Sequence, residues 1–323
     1  MKSHVILMIS VLLLGFSSGF AQLVEPPTTK QMQEIEKLMA PHRKKVTDAL
    51  NADKSGQYKT YLADLETIAK TEDSDTRDEL LDKLTRDHYA FIKKAYNSAV
   101  VINHEEMRTG VARILGHNNF QLDEFGGISS GSFLPLNPIS LRFDETRECP
   151  FTAADEASSQ VILSVCDADA ENCNVTVHSW SAYDGGCRSK ASLGAKFELP
   201  EGDYHNITVS ATSSFTYKGI ALAFGGYAQA NVKVGVRLQG PGYDKVVITK
   251  EDWCVAPVIW FTKFKANVQD GNLQAIFSGN FSGGNSFTAQ AYNETFAMAL
   301  PLLQAANAEC RSFVNLIRFV AAN

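Results

Sequence analysis

The sequence lacks every short motif that would identify a reaction. It contains no G-x-S-x-G elbow, no glycine-rich phosphate loop and no local Ser, His and Asp arrangement. Its 7 histidines are scattered, and carboxylates are too common on protein surfaces to nominate a pair for glycoside hydrolysis. These absences favour a protein that is not an enzyme. A secreted hydrolase stays open as an alternative, because catalytic residues need not be neighbours in sequence.

The sequence also lacks a strong charge of either sign. It has 30 basic and 36 acidic side chains, which gives a formal net charge of −6. A mildly acidic surface argues against nucleic acid as a partner and against binding to anionic lipid by charge alone. No window after the first residues reaches the roughly 20 apolar residues that a bilayer-spanning helix needs. Nucleic-acid binding and membrane insertion are therefore both disfavoured.

A short apolar run, residues 5–14, stands near the start of the chain behind Lys2. The basic start, the short apolar core and the small-residue exit are typical of a secretory signal peptide, with cleavage after Ala21. An N-terminal membrane anchor would need about twice that apolar length. We predict that residues 1–21 are a signal peptide and that the mature protein is extracellular, or periplasmic or otherwise exported if the source is bacterial.

The first 148 residues contain no cysteine. All 6 cysteines follow: Cys149, Cys166, Cys173, Cys187, Cys254 and Cys310. None of their spacings is the C-x2-4-C of a zinc site, so no metal is expected there. An even number behind a signal peptide predicts three disulfides. Four of the cysteines cluster within residues 149–187, which leaves Cys254 and Cys310 as the predicted third pair.

The sequence contains four N-x-S/T sequons, which are acceptor sites for N-glycosylation if the source is eukaryotic. Their asparagines are Asn174, Asn206, Asn280 and Asn293.

Residues 22–116 carry a helical pattern. Apolar side chains recur at three- and four-residue steps, and Thr76-x-x-Glu79 has the spacing of a capping box. Four amphipathic helices with short polar connections predict an antiparallel helical bundle. Residues 117–140 are rich in glycine, serine and proline, and we interpret them as a linker.

Residues 141–287 predict many short strands, and therefore an antiparallel β-sandwich domain. The longest two-residue period begins at Ile220, with apolar side chains at even positions and polar ones at odd positions such as Lys233. One straight strand of that length would span about 60 Å at roughly 3.3 Å per residue. A domain of this size is only about 40 Å across. We therefore predict a hairpin with a three-residue loop at residues 225–227.

From residue 288 the apolar spacing becomes helical again, with few charges. This predicts a C-terminal helix over residues 288–323 that packs on the helical frame or on the sheet. The predicted fold class is thus α+β: an N-terminal helical bundle, a disulfide-bonded antiparallel β-sandwich and a C-terminal helix.

Two clusters are candidate ligand sites. The first cluster is Trp180, Tyr183 and Asp184, two aromatic rings and an acid beside a flexible turn. Sugar-binding sites use this combination of side chains, but it also occurs at ordinary strand ends. Asp167, Asp169 and Glu171 alternate in a short loop and could offer oxygen ligands to Ca²⁺. The pattern lacks the EF-hand glycine and the terminal glutamate, which favours a solvated hairpin tip closed by a Cys166–Cys173 disulfide, with no cofactor.

The sequence therefore favours a secreted, non-catalytic binding protein. Its expected ligand is a glycan or another protein at a cell surface or in the extracellular matrix. The principal alternative is a membrane-active or pore-forming protein, in which helices or residues 219–238 refold into a bilayer.

Overall fold

A computed structural model describes residues 28–71, 73–99, 110, 113–114, 141–160, 164–182, 185–300 and 304–322. Most of these residues lie in antiparallel strands. The helices are α1 Thr29–Asn51, α2 Gln57–Lys70 and α3 Ser74–Ala99. The strands are β1 Leu141–Glu148, β2 Ala153–Gln160, β3 Ser164–Glu171, β4 Asn174–Ala182, β5 Gly185–Glu198, β6 Asp203–Gly240, β7 Tyr243–Ser282, β8 Ser286–Leu300 and β9 Ala305–Ala322.

The sheet is built around β6, whose 38 residues pair along their whole length with the 40 residues of β7. On the other edge of β6, its second half pairs with β8 and its first half pairs with β9. Further out, β5 pairs with β8 and β4 pairs with β9. The outermost pairs are β2 on β5, β3 on β4 and β1 on β9.

This network folds over into two layers. The first layer contains β2, β5, β8 and the adjoining halves of β6 and β7, and the second contains β1, β3, β4, β9 and the other halves. Phe197 of β5 stacks on Phe319 of β9 with ring centroids 4.9 Å apart, so the inner faces of the two layers meet. Each layer thus has an inner face in the shared apolar core and an outer face.

The predicted hairpin at residues 225–227 is wrong, because β6 continues through this segment. Its pairing with β7 shifts register between Phe224 and Gly226, and β8 ends opposite Tyr227 while β9 begins opposite Leu222. Irregularities of this kind let a strand turn a corner and pass from one layer to the other. The chain therefore fits its length into the domain by bending rather than by reversing.

The predicted C-terminal helix is also wrong, since residues 286–300 and 305–322 form β8 and β9. Residues 305–310 of β9 are buried on both faces. A strand buried on both sides loses the two-residue alternation of polarity, so its apolar residues can fall by chance at helical spacing.

The predicted N-terminal helical bundle is not supported either. The helices do form, and α1 begins with a capping box between Thr28 and Gln31. Their buried side chains, however, share one apolar cluster with the outer face of the sheet around the bend. The cluster includes Tyr61, Leu65, Leu81, Leu84, Trp180, Leu222 and Met298. The helices are thus a cover on the sheet rather than a bundle with its own core. Most of the predicted fourth helix and the whole 117–140 linker lie outside the described residues.

Two disulfides are present, Cys149–Cys173 and Cys166–Cys187. The predicted Cys254–Cys310 bridge is wrong, because both are buried free thiols. Cys254 pairs with Ala230 and Cys310 with Tyr217, on strands that flank β6 on opposite sides. Burial raises the pKa of Cys310 to about 12 and that of Cys254 further. The short Cys166–Cys173 link does not form either, since both sulfurs have other partners.

Among the described helices, none has the length and apolar content required to cross a membrane.

Candidate functional site

The outer face of the second layer is partly covered and partly open. Near the bend it carries Trp180, Ile220 and Leu222, which are buried beneath the helices. Farther from the bend the same face becomes polar. Two and four residues beyond Trp180 and Ile220, the strand register aligns polar side chains from four strands in two rows. One row holds His178, Glu309, Lys218 and Lys265, and the next holds Thr176, Arg311, Thr216 and Asn267.

Trp180 lies in the covered part, with 0% of its surface exposed. The guanidinium of Arg77, in the first turn of α3, lies 5.0 Å from its ring centre. The ring therefore packs against a cation of the same chain and offers no face to a ligand. Tyr183 and Asp184 lie outside the described residues, so their role as ligand contacts stays a prediction.

A buried polar cluster fixes the first turn of α3 to the sheet. Arg77 Nη1 lies 3.0 Å from His178 Nε2, and Asn307 Oδ1 lies 2.7 Å from the same nitrogen. Asn307 Nδ2 donates to Asp78 Oδ1 at 2.7 Å. Burial and the neighbouring Arg77 lower the pKa of His178, which favours the neutral ring.

Lys218 forms a second attachment of the helix. Its Nζ lies 2.6 Å from Asp75, 2.9 Å from Asp78 and 3.2 Å from Glu309. These carboxylates raise the pKa of Lys218 even though burial opposes the charge, and Lys218 in turn lowers the pKa of Asp75. Helix α3 is thus held by ion pairs at the boundary between the covered and the open part of the face.

Beyond this boundary lies an open groove of about 250 Å³. Its lining residues are Asp75, Thr216, Tyr217, Lys218, Lys265, Asn267, Glu309 and Arg311. Thr216, Lys265, Asn267 and Arg311 are exposed. Arg311 donates to Glu309, so its guanidinium is oriented along the face. We refer to this space as the groove.

Phe313 extends the open face past the groove. It follows Arg311 by two residues on β9, so both side chains lie on the same face about 7 Å apart along the strand. Its neighbours across the strands are Asn174 and Ser214. Phe313 is 46% exposed, which makes it the most exposed of the large hydrophobic side chains in the part of the chain that the structure describes.

Three titratable groups at the groove have shifted pKa values. The shifts that raise the pKa of Lys218 and lower that of Asp75 both hold the group in its charged form. Burial and the Asp252 carboxylate raise the pKa of Tyr217 and keep its hydroxyl protonated. General acid–base catalysis needs a group whose pKa lies near the working pH. These three groups are shifted away from that range.

The predicted calcium ligands lie on β3 at the edge of the same outer face. Asp167, Asp169 and Glu171 alternate along the strand and are exposed. Asp167 Oδ2 lies 3.7 Å from His178 Nδ1. Within the residues that have described positions, no three His, Cys, Asp or Glu side chains converge as metal ligands.

Sequence reasoning missed Lys265, Asn267, Arg311 and Phe313. The useful signal was present in residues 307–314, where Asn307, Glu309, Arg311 and Phe313 alternate with smaller or apolar side chains. That two-residue period predicts a strand. It was obscured by the helical spacing of the larger apolar residues before it.

Neither a protein-family model nor a curated protein sequence matches the chain. The xylan-binding CBM22-1 domain of Paenibacillus barcinonensis Xyn10C aligns over 58% of this chain and 99% of that domain, with 8% identity and a TM-score of 0.16. A family 11 carbohydrate-binding module from Clostridium thermocellum aligns over 61% and 97%, with 10% identity and a TM-score of 0.14. The glycoside hydrolase domain of Endo-D from Streptococcus pneumoniae R6 aligns over 51% and 21%, with 14% identity and a TM-score of 0.17. Similarity this low supports no conclusion about the function of this chain.

Proposed function

We propose that the protein is a secreted, non-catalytic glycan-binding protein whose ligand lies in the groove and against Phe313. The observation that carries this proposal is an exposed aromatic ring beside rows of polar side chains on a single sheet face. Secretion is supported by the predicted signal peptide and by the two disulfides, which persist in oxidising compartments.

The side chains of the groove match what a sugar offers. Each sugar hydroxyl both donates and accepts hydrogen bonds, and the groove supplies both functions. Thr216 and Asn267 can donate and accept, and Lys265 and Arg311 donate. Because the strands already hold the backbone in register, binding orders only side chains, and most of that cost falls on the exposed Lys265 and Arg311.

Phe313 supplies the apolar contact. The C–H face of a pyranose ring packs on an aromatic face, and an aromatic contact of this type contributes on the order of 1 kcal/mol beyond the buried area. Since Phe313 is already about half exposed, its ring is available without a rearrangement of the sheet. Polar rows without such a ring would have little to hold an uncharged sugar against competing water.

The test is a glycan array probed with the mature protein and with Phe313→Ala. We expect the wild type to bind at least one glycan class and Phe313→Ala to lose roughly tenfold in affinity, since 1.4 kcal/mol is a factor of ten. Ile276→Ala is the matched control, because Ile276 is 40% exposed on the same outer face and lies outside the groove. Its binding should equal that of the wild type.

Two results would overturn the proposal. One is an array on which the folded wild type binds no glycan. The other is a bound glycan whose affinity changes equally in Phe313→Ala and in Ile276→Ala, which would place the contact elsewhere.

A further inference from the structure

The two parts of β7 differ in charge. Its first 28 residues, 243–270, contain eight charged side chains, whereas its last 12, 271–282, contain none. In the described part of the chain, β7 pairs only with β6. Its outer edge therefore presents backbone N–H and C=O groups that another strand could use.

The uncharged part has the composition of a segment that pairs with other strands. Residues 273–277 read Leu-Gln-Ala-Ile-Phe, without proline or charge, which is typical of aggregation-prone strands. Ile276 is 40% exposed on the outer face. Proteins usually protect such an edge with lysine, proline or a covering element. The first part of β7 has four lysines, but residues 271–282 have no such side chain.

The sequon at Asn280 lies in this unprotected part. Asn280 is exposed, and its side chain lies on the same face as Ser278 and Ile276 because these residues are two and four positions away. Asn293 differs, being 1% exposed, with its Nδ2 donating to Ser312 Oγ at 2.7 Å inside the core. A folded chain with this structure has no room for a glycan at Asn293.

We propose that Asn280 carries an N-linked glycan that protects the uncharged edge of β7 from pairing with a second copy of the chain. The glycan is transferred from a lipid-linked oligosaccharide pyrophosphate. The Asn280 Nδ2 forms a bond to the anomeric carbon and loses one proton, and the lipid pyrophosphate leaves. A bulky, hydrophilic group at this position takes the role that charged side chains have in the first part of the strand.

The first experiment measures occupancy. The full chain is expressed in secretory eukaryotic cells, and each sequon is mapped by mass spectrometry after enzymatic deglycosylation in ¹⁸O water. We expect modified Asn280 and unmodified Asn293, which serves as the internal control. An unmodified Asn280 in the secreted protein would overturn the proposal.

The second experiment tests protection. Asn280→Gln and Ser282→Ala remove the same glycan through different side chains, while Asn174→Gln removes a sequon from β4. We measure the mean mass by light scattering across a concentration series. Asn280→Gln and Ser282→Ala should each at least double the mean mass, and Asn174→Gln should leave it unchanged.

A rescue variant separates edge pairing from misfolding. Asn280→Gln combined with Ile276→Lys places a charge on the exposed part of the edge, and we expect it to return the mass to that of one chain. Continued self-association of the double variant, or a monomeric Asn280→Gln at all concentrations, would contradict the proposal. Both readouts are independent of glycan binding in the groove.

Discussion

The outer faces of the two layers carry similar charged side chains but place them in different environments. In the first layer, Lys233, Glu251 and Glu294 are each less than 5% exposed. In the second layer, Lys265 and Arg311 are exposed at the groove. All five occupy outward positions of their strands. Position on a strand therefore tells which face a side chain lies on, but not whether that face is covered.

The buried charges of the first layer have partners, as burial requires. Glu294 accepts hydrogen bonds from Arg188 Nε at 2.9 Å and Nη2 at 2.6 Å, and from the hydroxyl of Tyr292. Lys233 Nζ lies 4.0 Å from both Glu294 and Glu251. An ion removed from water without such partners would cost several kcal/mol. The exposed charges of the second layer carry no comparable desolvation cost and are available to a ligand.

The largest expected effect is therefore in the first layer. Glu294→Ala removes a buried carboxylate that both Lys233 and Arg188 face, so it should lower the free energy of unfolding by roughly 3–5 kcal/mol. Urea unfolding followed by circular dichroism measures this change. The matched variant Glu309→Ala removes a carboxylate that is equally buried, at 4% exposed, but lies at the boundary in the second layer, where Asp75 and Asp78 still face Lys218. If Glu309→Ala destabilised as much as Glu294→Ala, the contrast between the layers would be wrong.

An intermediate effect is expected at His178, between the covered and the open parts. Burial and Arg77 lower its pKa, and these outweigh the opposite influence of Asn307, Glu309 and Asp167. The unfolded chain, with an ordinary histidine pKa near 6.5, then binds more protons than the folded chain as the pH falls below about 6.5. The stability from neutral His178 is thus present above that pH and is lost on acidification.

Thermal unfolding between pH 7.5 and 5 tests this sign. The wild type should lose stability below about pH 6.5, and His178→Gln should show a smaller change across the same range. His205→Gln is the control, because His205 is exposed on β6. Equal pH profiles for His178→Gln and the wild type would show that His178 does not carry the effect.

The sequence predicted local periodicity well and long-range arrangement poorly. The alternation from Ile220 correctly indicates a strand. It cannot distinguish a hairpin at residues 225–227 from a bend, because either one fits a long strand into a domain of this diameter. The same alternation places Lys233 among the polar positions, yet Lys233 is 3% exposed. Because residues 305–310 of β9 are buried on both faces, they lack the two-residue alternation of polarity, and the apolar spacing predicted a helix. The errors at Lys233 and β9 come from tertiary cover that no local pattern reports, and the hairpin error comes from pairing between distant strands.

The candidate site shows the same limit. Trp180, Tyr183 and Asp184 are neighbours in sequence, but the structure places Trp180 beneath α3. The groove instead combines Thr216, Asn267 and Arg311, which lie on three strands and meet only through sheet register. A strand prediction for residues 307–314 would have placed Arg311 and Phe313 on one face. Their alignment with Thr216 and Asn267 follows only from the pairing of β6, β7 and β9.

The smallest expected effect on stability is at Lys265, the exposed counterpart of Lys233. No ion pair of Lys265 is found among the described residues, and it is exposed on β7. Lys265→Ala should change the free energy of unfolding by no more than about 0.5 kcal/mol in urea.

On the glycan array, Lys265→Ala should lose roughly 0.5–1.5 kcal/mol of binding, or about two- to tenfold in affinity, if Lys265 donates a hydrogen bond to the ligand. Lys245→Ala is the control, since this lysine lies near the start of the same strand, away from the groove. A Lys265→Ala variant that is strongly destabilised would mean that the exposed charges of the second layer, like the buried charges of the first, stabilise the fold rather than bind a ligand.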